Sequence, residues 1–390
     1  MSDYRPLFFN IVIHASIWQR RLALPNFPAG MANLLAHYPN KVEFSPMRPL
    51  RNVIYIQTQN SWLHKDNENL VLKVEHETKA RVPIHKLQGL ICFGQVTISP
   101  YLMAHCAENG ITITFLNLFG KYLARVEGPV SGNVLLRRTQ HLTGHNVEKS
   151  VAIAQIMLTG KLYNQRYVLR RYCRDHGDKI TDDHVLKELQ TAEKRLTHCL
   201  SQLTDCKAID TLMGREGEAA QVYFGVFKHL IRQSDFKFDT RRRRPPTDPV
   251  NALLSFCYTL LTHDCRSALE TTGLDPASGF LHQLRSGRPS LALDLAEEFR
   301  PMIDRFVLSL INKRQLVIKD FETWPNGSVT LKDTARKTLL AAWQDRKQDT
   351  LLHPWFEETV PVGLLPWLQA QVLARFLRGD CDSYVPFLWK

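Results

Sequence analysis

The sequence has no run of about eighteen consecutive apolar residues, which excludes an ordinary membrane-spanning helix. It has no GxxxxGKS or GxxxxGKT stretch, so the glycine loop that cradles phosphates in nucleotide-driven machines is missing. None of its eight cysteines (Cys92, Cys106, Cys173, Cys199, Cys206, Cys257, Cys265 and Cys381) forms a CxxC pair. Scattered through apolar segments, they read as small core residues in a reducing cytoplasm, not as a disulfide or zinc framework. There is also no internal repeat and no low-complexity tract.

What is present is ordinary in amount and biased in charge. A chain of 390 residues has room for two or three domains, each with its own core. Hydrophobic residues make up 44% and charged residues 23%, as in a globular protein, but the formal net charge is +12. That excess favours a polyanionic partner, either nucleic acid or an acidic membrane surface, and is silent about reaction.

Along the chain the character changes twice. Leu7 to Trp18 is apolar but interrupted by Asn10 and His14, and the following stretch to Pro46 is punctuated by prolines without periodicity. Residues 1–46 are therefore expected to be an extension outside the main fold, which begins at Met47. From Asn52 to Gly128, NVIYIQ, NLVLKVEH, ARVPI and ITITFL are rich in β-branched residues and separated by turn residues such as Asp66 and Asn67. SPYLMAHCAENG, with a serine start and a glycine end, is the one helix expected among them. GPVSGNVLLRR marks a junction, after which helical periodicity takes over, and residues 129–390 are expected to form one helical domain. The expected fold is α+β: a small β-rich N-terminal domain, 47–128, then a larger all-α domain.

Two basic features stand out. The segment VEKSVAIAQIMLTGKLYNQRYVLRRYCRD interleaves Lys161, Arg166, Arg170, Arg171 and Arg174 with Tyr163, Tyr167 and Tyr172, which suits either a phosphate backbone or a solvated helix face. Arg241, Arg242, Arg243 and Arg244 precede Pro245 and Pro246, so they belong on an extended loop that can reach phosphates. The Asp248-Pro249 pair then opens a largely apolar, buried helix.

Carboxylates and a histidine surround this loop in sequence. In LMGREGEAAQVYFGVFKHLI, Leu212, Met213, Ala219, Ala220, Tyr223, Phe224 and Phe227 recur at helical spacing; Glu216 can point inward beside that stripe, while Glu218 is the solvated one. Further on lie His282 and, three residues apart on one helix, Asp294 and Glu297. Together with Glu216 these groups could hold a divalent cation. Each has a bland alternative: Glu216 complements a helix dipole, His282 is a satisfied core group, and Glu297 pairs with Arg300 one turn on.

GREGEAAQVYFGVF, RRRRPPTDPVNALLSF, GLDPASGFLH and GRPSLALDLAEEFRP together resemble the CRISPR-associated integrases that insert new spacers, the Cas1 family, and look most like members from type I-C systems. The resemblance runs from about Met47 to the C-terminus. It implies a homodimer whose metal site uses the glutamate of a GxEG motif, the histidine of a GFxH motif and an acidic residue on the following helix. Here these are Glu216, His282 and Glu297, with Asp294 as the alternative acidic ligand; many relatives carry aspartate at the position of Glu297. Asn251 is a neighbour of the site. The implied cofactor is Mg²⁺ or Mn²⁺, and the implied reaction joins the 3′-hydroxyl ends of a short double-stranded DNA fragment to the CRISPR repeat. The implied partners are a Cas2 dimer bridging two integrase dimers and the Cas4 nuclease. A metal-dependent nuclease without joining, or a basic non-catalytic scaffold, are the competing readings of the same residues.

Overall fold

The structure, a computed structural model, describes residues 51–118, 120, 122–128 and 134–389. The proposed extension, residues 1–46, lies outside these residues. Among the described residues the chain forms two compact units: those within 51–128 with 340–348, and 134–339 with 349–389.

The first unit contains two four-stranded sheets. One has the order β1-β5-β7-β8, built from β1 (Asn52–Ile56), β5 (Leu87–Phe93), β7 (Thr112–Leu116) and β8 (Tyr122–Val126); β1, β5 and β7 are parallel and β8 is antiparallel to β7. The other has the order β4-β3-β2-β6, from β2 (Ser61–Asp66), β3 (Asn69–Val74), β4 (Glu77–Pro83) and β6 (Val96–Ile98). Helix α1 (Pro100–Glu108) is the expected one, with the Ser99 hydroxyl accepting from the Leu102 N–H and Gly110 at φ +65° closing the turn. Leu63, Leu70, Leu87, Leu90, Leu102 and Ile113 are at the centre of the core.

Strands β2, β5, β6 and β8 go beyond the sequence reading. β5 is broken in sequence by Gly89, but a Cβ there would stand 2.6 Å from Thr112 Oγ1 on β7, so glycine is what lets these strands approach. The β3–β4 turn carries Glu75 and His76, both at positive φ (50° and 68°), where glycine or asparagine is the usual sequence signal.

The second unit is helical: α2 (Val134–His145), α3 (Val147–His176), α4 (Asp183–Gln202), α5 (Ile209–Val226), α6 (Pro249–Thr272), α7 (Ser290–Glu297), α8 (Arg300–Asn312), α9 (Asp333–Gln348, whose residues 340–348 belong to the first unit) and α10 (Leu365–Arg378). The two-stranded ribbons β9/β10 (Phe321–Thr323, Val329–Leu331) and β11/β12 (Thr350–Leu352, Thr359–Pro361) complete it. An α+β architecture, β-rich first and helical after, is thus the fold. No helix among the described residues is long and apolar enough to cross a membrane, and all eight cysteines are free, seven of them buried.

Helix α3 is the axis of this unit and packs on α4, α5, α7 and α8. The Asn146 side chain caps it by accepting from the Lys149 N–H at 2.9 Å. From Ser150 to Leu169 it is buried almost all round, including Lys161 (3% exposed) and Arg166 (4%). Neither side chain faces solvent or is presented to a phosphate backbone, so both sequence readings fail for these two residues; Arg166 pairs with Glu193 at 3.2 Å. Arg170 and Arg171 lie past the buried stretch, near Glu193 (3.8 Å) and Asp175 (3.2 Å) respectively. The Asn164 amide donates to the carbonyls of Glu298 (2.8 Å) and Phe387 (2.9 Å), and its oxygen accepts from Trp389 N–H (2.7 Å), pinning the C-terminal segment inside the fold.

Candidate metal and phosphodiester site

Glu216 lies in the middle of α5. Leu212, Ala219, Tyr223 and Phe224 bury one side of that helix, whereas Met213, expected in the same stripe, is 38% exposed. Glu218 is only partly solvated and pairs with Arg215 at 3.0 Å. The Glu216 side chain is 16% exposed and turns toward α3, where its Oε1 meets the Lys161 ammonium.

Lys161 also touches Glu297 Oε2, at 2.7 Å. The other oxygen of Glu297 takes Arg300 Nη2 at 3.1 Å, the one-turn pairing that the sequence allows. Burial alone pushes the Glu297 carboxyl up, but Arg300, Lys161 and His282 outweigh it and hold the group well below the usual carboxylate range. Glu297 is therefore an anion at neutral pH. Its neighbour Glu298 has the opposite fate: burial raises it to about 8 against hydrogen bonds from Tyr384, the Phe387 N–H and Gln369.

Asp294 is fully buried and engaged differently. Its Oδ2 accepts the N–H groups of Phe280 (2.7 Å) and Leu281 (3.0 Å), and its Oδ1 accepts the N–H of His282 (2.9 Å) and faces that residue's Nδ1 at 2.6 Å. One carboxylate on α7 thus fixes both the turn before His282 and the imidazole itself, leaving Nε2 as the ring's remaining ligating atom. Gly279 makes this possible: a Cβ there would lie 2.7 Å from Asp294 Oδ2 and 2.9 Å from the Ser290 backbone. The turn is braced from α2 by Gln140, which donates to the carbonyls of Asp275 (2.8 Å) and Ser278 (2.9 Å) and accepts from the Asp275 N–H (2.9 Å).

Among the described residues no three His, Cys, Asp or Glu side chains stand close enough to hold one ion as placed. What converges is a pair of carboxylates, Glu216 and Glu297, on one ammonium, with the His282 imidazole near enough to bias Glu297. The donor set fits a divalent cation: two carboxylates and one oriented imidazole are hard-to-borderline ligands, and the ammonium between the carboxylates stands where a cation is electrostatically favoured. Lys161, which the sequence marks only as part of a basic helix, is the member of this cluster that sequence reasoning misses. Nothing in periodicity distinguishes a lysine turned inward from one turned out, apart from its apolar neighbours.

Asn251 is buried at the start of α6, whose first turn is capped by Asp248 accepting the Asn251 N–H at 2.8 Å. Its amide donates to the Thr240 carbonyl (2.8 Å) and its oxygen accepts from Arg241 Nη1 (2.7 Å) and the Arg242 N–H (3.0 Å). Arg241 also donates to Ser255 Oγ at 3.1 Å. It is thus an internal brace, unlike the exposed Arg242, Arg243 and Arg244. The guanidinium groups of Arg241 and Arg300 stand 5.4 and 5.1 Å from the centroid of the Tyr258 ring, linking the arginine loop to the partner of Glu297.

The family model described as CRISPR associated protein Cas1 matches residues 54–345. A CRISPR-associated endonuclease Cas1 from Rhodospirillum rubrum is 52% identical over 348 residues, and one from Chlorobaculum tepidum is 48% identical over 347; each alignment covers 88% of this chain and 100% of the relative. Among solved structures, a casposase bound to integration product superposes with TM-score 0.75 at 21% identity, covering 87% of this chain and 95% of that one. A Cas6-RT-Cas1–Cas2 complex superposes with TM-score 0.73 at 22% identity, covering 92% and 38%. At these identities the superpositions speak for the fold, while the matched sequence model and the relatives near half identity establish that this chain belongs to the Cas1 family.

Proposed function

We propose that the protein is a metal-dependent DNA integrase of CRISPR adaptation that joins the 3′-hydroxyl ends of a short duplex to the repeat by phosphodiester transesterification, and that it can also cleave DNA. The observation that carries this reading is the meeting of Glu216 and Glu297 on one cation, together with an imidazole whose Nδ1 is fixed by Asp294, three residues before Glu297 on the same helix. Relatives near half identity bear the name endonuclease, and a casposase with integration product shares the fold.

In this reading Glu216, Glu297 and Nε2 of His282 hold the metal, and Asp294 acts by orienting His282. A bound Mg²⁺ or Mn²⁺ would neutralise the phosphate and promote ionisation of the attacking hydroxyl. Arg300 keeps Glu297 in place through Oε1, so the other oxygen stays directed into the site. Arg242, Arg243 and Arg244, exposed on their loop, together with Arg170 and Arg171, contact DNA phosphates. One phosphodiester is exchanged for another, so the reaction needs no nucleotide fuel. The working assembly is a homodimer with a Cas2 dimer between two such pairs, and Cas4 trims the incoming ends in a type I-C setting.

The test mixes the protein and its Cas2 partner with Mn²⁺ or Mg²⁺, a labelled duplex with free 3′ ends and a supercoiled plasmid carrying the repeat. Label joined at the repeat border by the wild type, and reduced to background by Glu216→Ala and His282→Ala with DNA binding intact, is the expected result. Cutting without joining would replace the integrase with a nuclease, and binding with neither would leave a scaffold.

A further inference from the structure

We infer that Lys161 is a resident counter-cation that competes with the divalent ion for Glu216 and Glu297, holding the two carboxylates together while setting a ceiling on metal affinity. This rests on the proposed metal site.

Lys161 projects from the middle of α3, with only 4% of its side chain exposed, and Gly160 beside it brings α3 close to α7: a Cβ there would lie 3.1 Å from Glu298 Cγ. The ammonium is therefore delivered to the end of α7 by backbone packing. A buried ammonium or carboxylate is costly alone, and each here is compensated by the others.

Charge then separates two basic residues with different tasks. Glu216 and Glu297 carry two negative charges, and Lys161 with Arg300 carries two positive ones, so the cluster is balanced. Of the two carboxylates, Arg300 grips Glu297, through Oε1, and it is also held over Tyr258 at 5.1 Å. Lys161 touches both carboxylates, through Glu216 Oε1 and Glu297 Oε2. An ion bound by those two oxygens and the Lys161 ammonium exclude one another, whereas Arg300 can stay. Lys161 is thus a positioning residue whose charge a divalent ion must displace.

The experiment is Mn²⁺ titration of the full chain by calorimetry, with melting curves in chelator and in saturating Mn²⁺, for wild type, Lys161→Met, Lys161→Gln and Glu216→Gln. Removing the competing charge is expected to tighten Mn²⁺ binding by about tenfold or more in both Lys161 variants. In chelator the same variants should melt below wild type, because two buried carboxylates are left with Arg300 alone, and Mn²⁺ should raise their melting temperature more than it raises that of wild type. Recovery of folded Lys161→Met only with Mn²⁺ present is the same result in stronger form; recovery in neither condition leaves the decision to Lys161→Gln. Unchanged or weaker Mn²⁺ binding in a folded Lys161 variant overturns the inference while the metal site stands. Wild-type binding that is absent, or indifferent to Glu216→Gln, removes the metal site and the inference with it.

Discussion

At the scale of single residues, the spacing of Asp294 and Glu297 carries the clearest lesson. Residues three apart share a helix face only approximately, being offset by about 60° around the axis. That offset sends Asp294 to the backbone of residues 280–282 and Glu297 to Lys161 and Arg300. Sequence could nominate both acids and His282, and it could pair Glu297 with Arg300, but it could not divide the labour between the acids. That division depends on Gly279 and the turn it permits. Asp294→Asn tests it: the new amide group would face N–H donors, the turn would loosen, and the imidazole would lose its fixed orientation. Strand transfer in single-turnover assays is expected to fall by about 10- to 100-fold, with DNA affinity unchanged. Full activity would mean that His282 is oriented by something other than Asp294.

At the scale of elements, periodicity located the helices well and was blind to what covers them. Basic residues interleaved with aromatics on α3 read as an outer face because their side chains are polar; yet the helix packs against α2, α4, α5, α7 and α8, and Lys161 and Arg166 are buried with acidic partners. In the N-terminal sheets, strands marked by β-branched runs were legible, while β5, with its glycine, and the turn at Glu75 and His76 were not, since strand pairing imposed those conformations from a distance. The arginine loop divides in the same way. Replacing Arg242, Arg243 and Arg244 together with glutamine should weaken DNA binding and lower the salt slope by about 0.9 for each phosphate left without its arginine. Arg241→Gln, by contrast, strips donors from Asn251 and Ser255, and should lower stability by about 1–3 kcal/mol while leaving the salt slope unchanged. Equal salt slopes for the triple variant and wild type would detach the loop from DNA.

At the scale of the whole molecule, stability carries the imprint of buried acids. Burial raises the Asp304 carboxyl from its ordinary 3.8 to about 6, against the Tyr258 and Tyr223 hydroxyls that face it and the charges of Arg241 and Arg300. Because the folded state holds this proton more tightly, the contribution of Asp304 is complete below about pH 4, declines as pH rises through 6 and is flat above. Its span is about 3 kcal/mol at most. Urea unfolding of wild type and Asp304→Asn between pH 4 and 7.5 should therefore give a difference in stability that shrinks or reverses in the variant's favour as pH rises. A difference independent of pH would mean that Asp304 is ionised throughout.

The first unit contains one more piece whose origin in the chain matters. Residues 340–348, the latter half of α9, belong with the N-terminal sheets: Leu340 and Trp343 are buried, and the Gln344 amide donates to the Val53 carbonyl on the edge strand β1. Those two hydrogen-bonded residues are 291 positions apart. During translation the strands of this unit emerge first, yet the segment that covers their edge is delivered only after most of the helical unit has left the ribosome. Until residues 340–348 arrive, that contact on β1 is unmade, and an uncovered strand edge is a template for pairing with another chain, so the helical unit is synthesised while this flank of the first sheet still waits for its own late segment.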